Sequence, residues 1–312
     1  MTATQNDQQT APAPQRTRLQ QALTGVVATT VTPYQGDLSL DLPALKRNAE
    51  LIAQHSDVIV PLGNTGEFYN LSLEEVKEVM GTVVETVAGR IPVVIGVGYA
   101  SPIMLDLALH AQQVGADAVM VHQPVHTHFS QEGLLRYFTD LCDRLDIAVI
   151  PYVRNSDIVT DATLAQAVKH PNMPAVKYAA RDLRAAYRLA QATSDEDVVW
   201  VNGLAETWAP VFAAAGMPGF TSGLVNAAPH LSSQLRDALR AGNTAEVDRL
   251  VALLRPFEDL RSRHNHAYNV PAVKEACAQL GFSGRAVRAP LTEMPAADRA
   301  EVTEILRGWG VL

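Results

Sequence analysis

The feature that most constrains this chain is a rhythm: from Gly25 onward, short runs rich in Val, Ile and Ala alternate with longer amphipathic segments. Such alternation predicts repeated strand-helix units around a parallel sheet whose strands are covered on both faces. The short runs are VVATTV (26–31), DVIVP (57–61), PVVIGV (92–97), DAVMV (117–121), AVIPY (148–152), PAVKY (174–178), VVWVN (198–202) and GFTSG (219–223). Between them lie helical patterns such as LPALKRNAELIAQ (42–54), SLEEVKEVMGTVVETVA (72–88) and IMLDLALHAQQVG (103–115), the last closed by Gly115, a residue suited to a helix C-terminus. Eight units in a chain of 312 residues predict a closed (β/α)8 barrel of the TIM class over residues 21–240, since ~250 residues is typical of that fold. An open doubly wound sheet shares this periodicity and is the alternative. Beyond the eighth run the strand signal stops, and 244–262, 270–280 and 295–309 read as helices, a C-terminal helical region over 241–312. Pro256 is expected to kink or end the first of these, while Pro271 and Gly281 punctuate the second. Residues 1–20, rich in Gln, Thr, Ala and Pro, read as a disordered N-terminal tail.

Composition narrows the function classes. A hydrophobic content of 47% supplies a sizeable core. The net charge of −8 comes from acids scattered along the chain, so neither a nucleic-acid footprint nor a patch for anionic membranes is present. No stretch has the ~18 uninterrupted apolar residues of a membrane span, and residues 1–20 lack the apolar core of a signal peptide. Cys142 and Cys277 lack CxxC spacing, which speaks against zinc, redox and disulfide frameworks. A cytoplasmic location is the expectation.

In a barrel of this kind the reactive groups stand at the C-terminal ends of the strands. There the sequence offers GNTGE (63–67) after the second strand, Tyr152 with Arg154 and Asn155 after the fifth, Lys177 on the sixth, and Gly203 and Thr221 on the seventh and eighth. Backbone N–H groups in the glycine loop can face an anion. Burial lowers the pKa of a lysine, and a neutral amine attacks a ketone, with a nearby phenol to relay protons. The competing reading of Lys177 is an ion pair with Glu67 or Glu206. His122, His126 and His128 fall close together in HQPVHTH, yet no carboxylate joins them before Glu132, so a metal site is not expected. HNH at 264–266 reads as a set of structural contacts between helices.

These residues, in this order, resemble the dihydrodipicolinate synthase and N-acetylneuraminate lyase family of Schiff-base-forming lyases, from about Gly25 to Leu312. GNTGEFYNLSLEE (63–75) resembles the family's carboxylate-binding loop, AVIPYVRN (148–155) its catalytic tyrosine segment, and AVKYA (175–179) its Schiff-base lysine segment. VPAVKEACAQLGFSGRAVRAPL (270–291) resembles its C-terminal helical region. The resemblance implies an imine between Lys177 and C2 of a 2-oxo acid with no organic cofactor, Tyr152 as proton shuttle, and Asn64, Thr65 and Gly66 on the substrate carboxylate. It further implies contacts from Thr221, and a homo-oligomer, dimer or tetramer.

Departures from that pattern bear on the substrate. Asn64-Thr65 stands in place of two adjacent threonines, and Val125-His126 in place of the tyrosine donated across the dimer, so the synthase's proton relay is incomplete. GEFYNL, NGLAETW, TSGLVN and VRAPL are closer to the branch containing 5-dehydro-4-deoxyglucarate dehydratase. The expected activity is therefore dehydration or aldol cleavage of a 2-oxo sugar acid, with His126, Arg154, Asn155 and Asn226 reading hydroxyls or a second carboxylate. Dihydrodipicolinate synthesis from pyruvate and aspartate semialdehyde, and noncatalytic binding of a 2-oxo acid, are the alternatives.

Overall fold

The structure, a computed structural model, describes residues 13–155 and 157–312. Its strands are β1 (Val26–Thr29), β2 (Val58–Val60), β3 (Val94–Val97), β4 (Ala118–Val121), β5 (Ala148–Val153), β6 (Ala175–Tyr178), β7 (Val199–Asn202) and β8 (Gly219–Ser222). They pair in parallel in the order β2-β1-β8-β7-β6-β5-β4-β3. The two ends of this row meet: Ile59 bridges Val93, the Ile59 N–H donates to Pro92 O at 3.0 Å, and the Gly96 N–H donates to Pro61 O at 3.1 Å. The barrel is closed, which removes the open sheet from consideration.

Period-two alternation divides the strand residues between two cores. Val27, Val60, Met120, Ile150 and Val201 fill the barrel lumen. Their neighbours Ile59, Ile95, Val119, Val149 and Val176 face outward, against the helices. The surrounding ring comprises α2 (Leu42–His55), α3 (Leu73–Val87), α4 (Ser101–Val114), α5 (Gln131–Cys142), α6 (Asp161–Ala167), α7 (Leu183–Ala192), α8 (Ala209–Ala214) and α9 (Pro229–Arg240). Many of these helices start where a short polar side chain satisfies an orphan N–H. Asp41, Ser72, Ser130, Thr160 and Asp182 each accept from the backbone three residues on, and Ser72 with Glu75 forms a reciprocal capping box.

The N-terminal segment differs from the expectation. Residues 1–12 of the predicted tail lie outside the described residues, and the remainder belongs to a helix, α1 (Ala13–Leu23). Its low apolar content hid it from a periodicity test, because few positions are buried. Leu19 and Leu23, each 2% exposed, plug the lumen at the N-terminal ends of the strands. Arg16 donates to Pro171 O at 2.6 Å, Arg18 to Gly89 O at 2.6 Å and Gln20 to Asp197 O at 2.8 Å, so α1 is tied to three of the loops that enter strands.

Past the barrel come α10 (Thr244–His266), α11 (Pro271–Gln279) and α12 (Ala296–Gly308). Pro256 does not end α10 as expected. Pro256 and Ala252, the residue whose carbonyl loses its helical partner, are both exposed, so water replaces the missing hydrogen bond. The break falls later: Arg263 is extended, and His264 and Asn265 adopt left-handed backbone at φ 50° and 55°. α10 packs on α9 and on the turn after β7, which brings its C-terminal half over the barrel mouth.

Candidate active site

Tyr152 on β5 and Lys177 on β6 are directly paired in the sheet register, so both side chains point into the lumen at one level. Ala148 and Ile150 precede the tyrosine inward, and Ala175 and Ala179 flank the lysine, which makes this the last lumen layer before the mouth. The Lys177 amine sits 4.2 Å from the centre of the Tyr152 ring. It has no ion pair among the described residues. Burial is the sole cause acting on its pKa and brings it down from 10.5 to about 7, so near neutrality a large fraction is free amine. Both carboxylates that competed for Lys177 are engaged elsewhere. Glu67 pairs with the buried Lys274, and Glu206 accepts from Ser232 Oγ at 2.7 Å.

Burial raises the Tyr152 pKa, opposed by Arg154 and by the Asn64 amide, which donates to the phenol oxygen at 3.3 Å. The phenol therefore stays protonated at neutral pH. Beside it His122 is stacked on Phe68 with ring centres 4.7 Å apart and donates to Leu62 O at 2.9 Å. Burial lowers its pKa to about 4, so it is a neutral packing group next to the tyrosine.

The GNTGE loop folds as a tight turn behind this layer. Its Gly66 and Glu67 N–H groups are spent on Gly63 O and Asn64 O, at 3.0 and 3.1 Å. The N–H groups of Asn64 and Thr65 have no acceptor among the described residues and are the two available to an anion. Thr29 Oγ1 lies 3.3 Å from Thr65 Oγ1 and donates to Ser222 O at 3.0 Å, which fixes the threonine toward the lumen. Gly66 itself lies under the turn: a Cβ there would come within 2.9 Å of Leu62 N, so its part is to let two backbone segments approach.

A cavity of about 680 Å³ opens above these groups. Asn64, Thr65, Tyr152, Arg154, Lys177, Gly203 and Thr221 line it, with Asn155 at its rim. Three expected contributors do not: Gly66, which lies under the turn, His126 and Asn226. His126 is exposed on the loop before α5, where its Nδ1 accepts from the His128 N–H at 3.1 Å. Asn226 is fully buried and fully used: it donates to Thr29 O and Gly223 O and accepts from Val31 N and Asn48 Nδ2. Among the described residues no cluster of His, Cys, Asp and Glu has metal-binding geometry.

The pattern of the Dihydrodipicolinate synthetase family matches residues 22–308. The chain belongs to that family. Over 293 residues it is 34% identical to the 4-hydroxy-tetrahydrodipicolinate synthase of Acidiphilium cryptum, covering 92% of this chain and 99% of that one. It is 33% identical to a probable 5-dehydro-4-deoxyglucarate dehydratase 2 of Streptomyces avermitilis, covering 90% of this chain and 86% of that one. The crystal structure of dihydrodipicolinate synthase from Bacillus clausii superposes with a TM-score of 0.90 at 38% identity, covering 94% and 99% of the two chains. As a member of the dihydrodipicolinate synthetase family the chain is a lyase, and the noncatalytic alternative is set aside. Among the described residues no helix is long and apolar enough to cross a membrane.

Sequence reasoning missed one wall of the family member's cavity. Arg181 from the loop after β6, and Glu258, Asp259, Arg261 and His266 from α10, all line it. Arg261 is 6% exposed, binds Glu258 at 2.7 Å and Asn269 Oδ1 at 2.7 Å, and lies against Gly223, where a Cβ would sit 2.8 Å from its guanidinium. The HNH triplet, expected to make only structural contacts, thus delivers His266 to the site. Periodicity carries no signal for a helix that bends back over a barrel mouth.

Proposed function

We propose that this lyase forms an imine between Lys177 and C2 of a 2-oxo acid, and that its substrate is a 2-oxo sugar acid such as 5-dehydro-4-deoxyglucarate. The observation that carries the reading is a buried lysine with no ion-pair partner among the described residues, in register with a buried tyrosine. The free amine attacks C2, and one amine proton moves to the former carbonyl oxygen. Tyr152 donates a second proton, water leaves, and the phenolate takes a proton from C3 to give the enamine. The enamine then expels the hydroxyl at C4, which leaves as water with the Tyr152 proton. Alternatively, loss of the C4 hydroxyl proton from the iminium breaks the C3–C4 bond. The Asn64 and Thr65 N–H groups hold the carboxylate, while Gly203 and Thr221 shape the pocket around the imine. Borohydride reduction in the presence of pyruvate is expected to add the mass of the reduced adduct to the Lys177 peptide; an unmodified peptide at saturation counts against the mechanism.

The sugar-acid reading draws support from relatives named as probable 5-dehydro-4-deoxyglucarate dehydratases and from a polar outer cavity. The relative named 4-hydroxy-tetrahydrodipicolinate synthase favours a second reading, condensation of pyruvate with aspartate semialdehyde. A panel of that pair, 5-dehydro-4-deoxyglucarate, other 2-oxo-3-deoxy sugar acids and N-acetylneuraminate separates them: synthase turnover with no sugar-acid activity overturns the first. We further propose a cytoplasmic homo-oligomer, dimer or tetramer, to be read from sedimentation of the purified chain.

A further inference from the structure

We propose that Trp208 is a specificity-determining residue: with Leu204 it forms an apolar wall on which the carbon chain of the 2-oxo acid packs beyond C3, and its indole N–H donates to an oxygen on that chain. This rests on the reading of Lys177 as the group that holds the oxo end. The outer half of the cavity has two kinds of wall. Charged and polar side chains come from α10, whereas Leu204, Ala205 and Trp208 come from the turn after β7. Val201 on β7 is the register partner of Lys177, so this turn continues toward the mouth from the strand beside the amine.

The chain has three tryptophans, and they differ in how their indole N–H groups are satisfied. Trp200 and Trp309 are 4% and 8% exposed, and they donate to Thr193 Oγ1 at 3.0 Å and to Leu253 O at 3.2 Å. Trp208 is half-buried, its ring meets Phe212 edge to face at 6.3 Å between centres, and its N–H has no acceptor among the described residues. An aromatic ring on a cavity wall leaves apolar surface in water until a ligand covers it, and an indole N–H there is a donor without an acceptor. A hydroxylated carbon chain supplies both, C–H groups for the ring and an oxygen for the N–H. Pyruvate ends at C3 and has no atoms to supply either.

The turn that presents this wall is held from behind. Ala205 has φ 68°, a left-handed value that side-chain-bearing residues avoid. Asn202, 0% exposed, accepts from Leu204 N at 2.8 Å and donates to Ala205 O at 3.0 Å. Glu206, also 0% exposed, accepts from Ser232 Oγ at 2.7 Å. Two buried polar side chains thus fix a strained backbone between Leu204 and Trp208, and strain held in this way clusters at ligand sites.

The test uses the whole chain and compares ratios of half-saturation in borohydride trapping at Lys177, alongside calorimetric affinity. A general disturbance of the fold acts on both ligands of a ratio and cancels. A buried methylene corresponds to about a fourfold gain, so 2-oxohexanoate, three methylenes longer than pyruvate, is expected to half-saturate at a concentration about tenfold lower or more. Trp208→Ala lowers that ratio to about threefold or less, and Trp208→Phe, which keeps a ring, retains most of it. Of 5-hydroxy- and 6-hydroxy-2-oxohexanoate, at least one is expected to bind about threefold tighter than 2-oxohexanoate in the parent, the size of one net hydrogen bond, and Trp208→Phe removes that gain. Acrylamide quenching gives a readout with no variant, because Trp200 and Trp309 are buried and quencher access reports Trp208. The reduced 2-oxohexanoate adduct is expected to lower quenching by about twofold relative to the reduced pyruvate adduct, since only the longer chain covers the ring. A chain-length ratio near one in the parent, a tenfold ratio that survives Trp208→Ala, or equal quenching of the two adducts overturns the wall. A parent that gains nothing from the hydroxyl, or a gain that survives Trp208→Phe, overturns the donor role. Trapping at Lys177 without chain-length preference defeats this proposal alone. A calorimetric preference without trapping defeats the imine reading and leaves the wall standing.

Discussion

Lys177 owes its lowered pKa to what is absent around it. With no carboxylate partner among the described residues and with burial bringing its pKa to about 7, the amine is protonated below neutrality and free above it. The initial rate of imine trapping with pyruvate is therefore expected to rise with pH through about 7 and then level off. A rate that begins to rise only near pH 10 would mark an ordinary solvated lysine. Tyr152 is held protonated by the same desolvation, its ring lies against the amine, and its phenol oxygen accepts from the Asn64 side chain. Tyr152→Phe is thus expected to lower kcat by roughly 10²–10⁴ with little change in KM. A rise in KM at constant kcat would give Tyr152 a binding role instead. Both residues were legible in the sequence because the strand register that pairs them is a period-two property. His126 stands on an exposed loop and not on the cavity wall of its own chain, and a loop position has no such register.

At the scale of elements, strands and ring helices form where their local signals say. Apolar runs are bounded by cap residues such as Asp41, Ser72 and Asp182, and Gly115 closes α4 at φ 93°. α1 carries no such signal: its value lies in two leucines whose packing partners are lumen residues from distant strands. Leu23→Ala is expected to cost about 2–5 kcal/mol in urea denaturation, the range for emptying a buried leucine site. A cost well under 1 kcal/mol would return this segment to the tail that its composition suggested. The α10 hook teaches the converse, since a helical pattern that reads as continuous breaks at His264 and Asn265, where only distant contacts explain the turn.

At the scale of the whole molecule, the C-terminal region is joined to the turn after β2 by a buried ion pair. Lys274 on α11, 0% exposed, pairs with Glu67, donates to Ala286 O at 2.9 Å and lies 3.9 Å from the Tyr34 ring centre. Glu67 also accepts from Arg288 N and Asn70 Nδ2, both at 3.2 Å, while its own backbone stays left-handed at φ 56°. Lys274→Met strands a buried carboxylate and is expected to cost about 3–5 kcal/mol and to raise KM for the 2-oxo acid as the Asn64–Thr65 turn loosens. Adding Glu67→Gln should recover much of the stability; if the double variant is as unstable as the single, the loss is one of packing and not of charge. By itself, the sequence determined the repeat of strand and helix, the lumen-facing lysine and tyrosine, and the family resemblance, because each rests on short-range periodicity or on a contiguous motif. Only the tertiary structure decided which polar and charged groups meet: Glu67 with Lys274, Glu75 with Arg288, Arg181 with His266. Those pairs join residues far apart in the chain, and Coulomb and desolvation energies depend on distance and burial that no local pattern encodes.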